Sequence, residues 1–216
     1  MEVFQTSGCL ITYKSNGEKL AYQHAVKLPQ FTLSSGQKLA IIGPSGSGKS
    51  TISSLILGET KDLNIEGDYH RAGLTRAWAG QDHYGNLNPR VTVSRHLKLA
   101  GAEKSEIPTL LGSVQLPANY ASRYPTQLSG GERARVGLAI CLAKKPELLV
   151  IDELTSSFDT ETTLAILKIL KEISRSFTVI FITHDRMAAQ YLCDSALILN
   201  AEGEARYEEL KEQANV

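Results

Sequence analysis

Leu39-Ala40-Ile41-Ile42-Gly43-Pro44-Ser45-Gly46-Ser47-Gly48-Lys49-Ser50-Thr51 joins a short apolar run to a glycine-rich turn, and a helical pattern follows from Lys49. The turn fits G-x-x-x-x-G-K-[ST] between a strand and a helix, the context its chemistry requires. The glycines let the backbone curl so that successive N–H groups point at the β- and γ-phosphates of a nucleotide. Lys49 adds a cation, the Ser50 hydroxyl can take a Mg²⁺ coordination position, and the following helix aims its positive end at the anion. Gly43, Pro44, Ser45, Gly46, Ser47, Gly48, Lys49, Ser50 and Thr51 are therefore candidate ligands of ATP.

Further along, Leu148-Leu149-Val150-Ile151 is a second apolar run, and it ends in Asp152-Glu153. Beside such a phosphate turn, an acid at the tip of a neighbouring strand holds the Mg²⁺, commonly through water. Asp152 takes that role, and Glu153 is placed to polarise an attacking water as general base. Thr178–Ile182 and Ala196–Leu199 are two more apolar runs, and Thr160–Ser174 carries Leu164, Leu167, Ile169, Leu170 and Ile173 near helical spacing. Runs of this length suit strands buried on both faces of a parallel sheet, and their alternation with helices predicts an α/β fold.

Two regions depart from that rhythm. Residues 1–37 read as short strands with turns at Ser15-Asn16-Gly17 and Ser34-Ser35-Gly36, which predicts a small antiparallel sheet. Residues 83–127 lack strong strand runs and hold four of the seven prolines, so they read as a small, mostly helical insertion. The charged tail from Glu202 to Val216 is expected to form a surface helix.

Composition narrows the function classes. Of 216 residues, 42% are hydrophobic, enough for a sizeable core in one domain. The 23 basic and 23 acidic side chains balance, which argues against a partner bound through its phosphate backbone, so no nucleic acid is expected. No run of about 18 or more apolar residues occurs, and Met1–Gly8 does not read as a secretory signal. Cys9, Cys141 and Cys193 are odd in number and far apart, which predicts three buried hydrophobes in a reducing cytosol.

Leu128-Ser129-Gly130-Gly131-Glu132 opens a helical segment from Arg133 to Lys145. A serine and two glycines before a helix make a second anion-binding turn. One nucleotide rarely needs two cradles from one chain, so this turn is expected to serve a nucleotide held by another subunit.

On these motifs the chain resembles the nucleotide-binding subunit of ABC (ATP-binding cassette) transporters, over essentially its whole length. The resemblance implies a P-loop NTPase core with an N-terminal antiparallel β subdomain, plus an α-helical subdomain inserted near residues 83–145 of a single domain, 1–216. It implies a head-to-tail dimer with two ATP molecules sandwiched between the Gly43–Ser50 loop of one subunit and Ser129, Gly130, Gly131 and Glu132 of the other. Gln81 resembles the glutamine that reaches the Mg²⁺ and joins the lobes, so the implied metal set is Ser50, Gln81 and Asp152. Ser156-Ser157-Phe158-Asp159 resembles the D-loop, in which Asp159 carries information across the dimer. His184 resembles the switch histidine on the γ-phosphate, and an aromatic side chain from the N-terminal sheet stacks on adenine, Tyr13 first and Tyr22 second. Leu154 stands where the family usually has proline, which loosens that turn without removing a ligand.

Gln81 to Val93, with its Gln-Asp…Leu-Asn-Pro-Arg-x-Thr-Val form, is similar to the oligopeptide, dipeptide and nickel importer branch. That implies uptake of a peptide, nickel or metal-chelate cargo, with integral membrane permease subunits docking on this surface. It also implies an extracytoplasmic solute-binding protein upstream and a peripheral position on the cytoplasmic face of the cell membrane. Members of that branch often carry a longer C-terminal extension than one ending at Val216. The alternatives are a transporter for another cargo, or a non-transport ABC ATPase of DNA repair or translation. The long coiled-coil insertions or paired cassettes of that last class are not seen here.

Overall fold

The computed structural model describes residues 1–14, 25–80, 87–154 and 158–210. Its contacts divide the chain into two compact units, Met1–Leu74 with Thr178–Val216, and Thr75–Phe177.

The first unit is built on strands β5 (Lys38–Ile42), β10 (Thr178–Thr183), β11 (Ser195–Leu199) and β12 (Ala205–Glu209). β5 lies between β10 and β11 and runs parallel to both; β12 closes against β11 antiparallel. Leu39, Ala40, Ile41 and all of β10 are buried, as expected of strands covered on both faces. Each such Leu, Ile or Phe contributes about 1.5–3 kcal/mol by leaving water. Helices α1 (Lys49–Leu57) and α6 (Arg186–Leu192) belong to this unit, α6 packing on β5 and β10.

The expected antiparallel sheet is present as two sheets of three strands. One has the order β4 (Phe31–Ser34), β1 (Glu2–Thr6), β7 (Tyr69–Arg71); the other β3 (Val26–Leu28), β2 (Cys9–Tyr13), β6 (Leu63–Glu66). Each takes its third strand from residues 63–71, so this sheet region is not confined to 1–37. The Ser15-Asn16-Gly17 turn lies outside the described residues. Phe4 anchors the first sheet, its ring 5.5 Å from Phe31 and 6.1 Å from Tyr69.

The tail departs from expectation. Residues 205–209 form β12, not a helix, and the turn before it is pinned by Asn200 Oδ1 accepting the Glu204 N–H at 2.8 Å. A ladder to β11 and the stacking of Tyr207 on Phe31, 5.9 Å between rings, hold it extended. Charge alone mimicked a solvated helix; the Asn200–Gly203 turn was the better signal, since Gly203 sits at φ 81. Residues 211–216 lie outside the described residues.

The second unit holds the parallel pair β8 (Arg76–Gly80) and β9 (Leu148–Asp152), with α4 (Gly130–Ala143) packed against β8. Helices α2 (Val93–Leu99) and α3 (Ile107–Ser113) and the 3-10 turns Ala118–Ser122 and Pro125–Gln127 occupy the stretch expected to be helical. Helix α5 (Thr160–Ile173) follows β9. Cys9, Cys141 and Cys193 are buried, and burial raises the Cys141 thiol to about 11.

Candidate functional site

The glycine-rich loop is shaped by close approach. Gly46 and Gly48 lie at φ 79 and 98, and a Cβ on Gly48 would overlap Val26 Cγ2. Gly48 caps α1 from this left-handed conformation, which leaves the first N–H groups of the helix facing the loop. Lys49 is buried, and its ammonium donates to the carbonyls of Gly43 and Pro44 at 3.0 and 2.9 Å. Ser47 Oγ is buried and has no hydrogen-bond partner among the described residues.

A cleft of about 310 Å³ opens over this loop, lined by Tyr13, Gly46 to Thr51, Ala25, Val26 and residues 201–203. That volume is at the lower end for a small-molecule site. Tyr13, 56% exposed, lies within hydrogen-bond distance of Thr51, its Oη 3.0 Å from Oγ1, which fixes the ring on the cleft wall. Tyr22 lies outside the described residues. The wall from residues 201–203 was missed in the sequence. It is stitched to β3 by the Lys27 N–H to Gly203 O at 2.9 Å and the Lys27–Glu204 ion pair at 2.8 Å.

Register carries His184 to the same edge. Thr183 pairs with Ile42, so His184 and Gly43 both begin where parallel strands end, the edge at which open α/β sheets bind ligands. His184 is exposed, and the next residue, Asp185, caps α6 through the N–H groups of Met187 and Ala188.

In the second unit, Asp152 is the last residue of β9 and pairs with Gly80. Gln81 comes next in the chain and lies outside the described residues, as do Ser156 and Ser157. Glu153 is half-buried at φ 47, a left-handed backbone that side chains other than glycine seldom adopt. Such positions gather at functional sites, where the surroundings enforce them.

The second anion turn is a capping box. Ser129 Oγ accepts the Glu132 N–H at 3.2 Å, and Glu132 Oε2 accepts the Ser129 N–H at 2.8 Å. The helix therefore starts at Gly130, three residues earlier than expected. Glu132 is committed to holding this turn, its carboxyl kept below the usual range chiefly by the Tyr120 phenol. Asp159 likewise caps α5, accepting from the Thr162 N–H at 2.9 Å and its hydroxyl at 2.8 Å, which lowers its pKa.

The structure also gives the paired glycines a second reason. A Cβ on Gly131 would lie 2.7 Å from Thr162 Cγ2, and one on Gly130 would lie 3.2 Å from the Phe158 ring. The turn is thus pressed against the start of α5, a contact no local motif announces. Gly131→Ala is expected to cost about 1–3 kcal/mol by overpacking. Thr162→Ser, which removes the methyl but keeps the hydroxyl on Asp159, should restore most of it. Thermal unfolding of the single and double variants checks this; an unchanged midpoint in Gly131→Ala would refute the contact.

Residues 26–156 match the ABC transporter family. The methionine import ATP-binding protein MetN of Xanthomonas euvesicatoria is 33% identical over 88% of this chain and 62% of its own length. The MetN of Burkholderia thailandensis is 38% identical over 79% of this chain and 55% of its own. The chain thus spans about three fifths of the length of these relatives. A bacterial ABC transporter cassette solved as a dimer superposes with a TM-score of 0.73 at 26% identity, over 97% of this chain and 99% of that one. Glycine-rich loop, acid-tipped strand, capped glycine turn and overall likeness agree: the chain belongs to the ABC transporter family.

Proposed function

We propose that the chain is the ATP-hydrolysing motor subunit of a solute importer, working as half of a head-to-tail pair with an identical or related cassette. One observation carries this reading: one chain holds two N–H-rich turns, 43–48 before α1 and 129–131 before α4. A single triphosphate needs one such cradle; the second suits a nucleotide held by the partner.

The chemistry follows from the residues. The N–H groups of the Gly43–Ser50 loop and the Lys49 ammonium bind the phosphates and offset charge spread over the phosphoryl oxygens. The orphaned Ser47 hydroxyl and the left-handed Gly46 and Gly48 fit a loop built to wrap an anion. Mg²⁺, when bound, neutralises developing charge; the hard oxygens of Ser50, Asp152 and Gln81 are its proposed ligands. Glu153 orients and deprotonates the water, and His184 steadies the γ-phosphate. Tyr13 stacks on adenine, and Asp159 adjoins the partner. Closure on ATP and opening after hydrolysis then move integral permease subunits between two states.

For cargo we propose methionine or a similar small amino acid. The relatives named above carry that name across most of this chain. The peptide, nickel or metal-chelate reading rests on the few residues between 81 and 93. An extracytoplasmic solute-binding protein would deliver the cargo, and the cassette would sit peripherally on the cytoplasmic face of the membrane. No helix among the described residues is long and apolar enough to cross one. The test is purification from membranes. Recovery with permease subunits whose vesicles take up methionine on ATP addition supports the reading. Recovery with ribosomes or nucleoid alone would favour the non-transport ATPase.

A further inference from the structure

Glu132 poses an electrostatic difficulty. Its carboxylate sits in the first turn of α4, beside the N–H groups that would have to meet a partner's phosphate, and two anions at close range repel. What restrains it is not local. The Tyr120 phenol, from the turn Ala118–Ser122, donates to Glu132 Oε1 at 2.6 Å while Oε2 stays on the Ser129 N–H. The Arg123 guanidinium lies 3.6 Å from the centre of the Tyr120 ring. The Arg123 carbonyl in turn accepts the Val93 N–H at 2.9 Å. Val93 opens α2 directly after the Asn88–Thr92 turn, in which Asn88 accepts from Arg90 and Thr92 caps the helix.

We propose that Tyr120 is a positioning residue for the 129–132 turn: it pins the Glu132 carboxylate aside from the N–H groups and ties that turn, through Arg123, to the 88–93 surface. This rests on the reading that the turn closes on a partner's nucleotide. Tyr120 touches no substrate; it acts through Glu132. Because it acts on the 129–132 turn and not on the Gly43–Ser50 loop, its loss should spare ATP capture and impair the closed state.

Tyr120→Phe in the full chain removes one hydroxyl and keeps the ring under Arg123. Losing a hydrogen bond to a charged group, it should speed amide exchange at 130–132 about fivefold and lower kcat about tenfold. KM for ATP and the melting midpoint should stay near the parent's. Glu132→Gln retains an acceptor for the Ser129 N–H and a partner for the phenol, and should leave amide exchange at 130–132 near the parent's. In a Glu132→Ala background, Tyr120→Phe should add nothing, since the partner is already gone. Unchanged exchange at 130–132, an additive loss in the double variant, or a parallel fall in melting midpoint and ATP affinity would each overturn the proposal. A parent chain that fails to hydrolyse ATP would instead sink the motor reading, while the exchange measurement still decides the part played by Tyr120.

Discussion

Glu153→Gln is expected to leave ATP binding intact, to slow turnover by about two to four orders of magnitude, and to accumulate an ATP-bound dimer. The substitution replaces one oxygen of a half-buried side chain by an amide nitrogen and keeps its shape, so the left-handed backbone at φ 47 is preserved. What disappears is the capacity to take a proton from water. Binding depends on the loop around Lys49, which the substitution leaves intact, so it should be unaffected. With hydrolysis stalled, the nucleotide remains as the bridge between cassettes. Size-exclusion chromatography with and without ATP reads the dimer, and single-turnover kinetics reads the chemical step. A turnover within threefold of the parent's would remove Glu153 from the role of base and shift attention to Asp152 or His184. Glu153→Gly serves as a control, because glycine relieves the left-handed backbone while removing the carboxylate. If backbone strain rather than charge were what mattered, Gln would behave as the parent and Gly would not.

The parts of this site legible in the sequence are those whose physics is local. The apolar runs 39–42, 148–151, 178–182 and 196–199 are strands because a segment buried on both faces must be apolar throughout. The phosphate loop and the Ser129 turn could be read because glycines and a capping serine act within a few residues of themselves. The missed elements answer to partners far away in sequence. β7, Tyr69-His70-Arg71, is short and largely exposed, with no apolar period; it is a strand because β1 offers it a ladder. β12, by contrast, pairs with β11 just across the Asn200–Glu204 turn, where charge masked a local hairpin. Residues 201–203 join the cleft because Gly203 hydrogen-bonds to Lys27, and nothing in Asn200-Ala201-Glu202-Gly203 announces that. Locally, the glycine pair at 130–131 supplies N–H groups, and that is half the account. The other half is Thr162 and Phe158 pressing on it, visible only once α4 and α5 are placed.

Ser129→Arg asks most directly whether the second cradle serves another subunit. Ser129 Oγ caps α4, so its loss alone should cost about 1 kcal/mol of stability, which Ser129→Ala measures separately. Arginine adds bulk and a cation at the mouth of the turn, where the N–H groups need unobstructed access to a phosphate. Turnover should fall by about a hundredfold or more, beyond what the alanine variant loses, as expected when preorganised donors are blocked. ATP affinity of the isolated chain should equal the parent's, because capture rests on the Gly43–Ser50 loop and the Ser129 turn serves the partner's nucleotide. Mixing then separates the two geometries. Ser129→Arg has an intact phosphate loop; Lys49→Ala has an intact Ser129 turn; neither alone should hydrolyse ATP. If each site is shared between chains, a mixed dimer holds one whole site, and random pairing should restore up to about a quarter of the parent rate. If each chain encloses its own nucleotide, no pairing produces a whole site and the mixture stays as inactive as its parts. Loss of ATP binding in Ser129→Arg itself would point the same way, since it would place the turn on the chain's own nucleotide and leave the partner nothing to close upon.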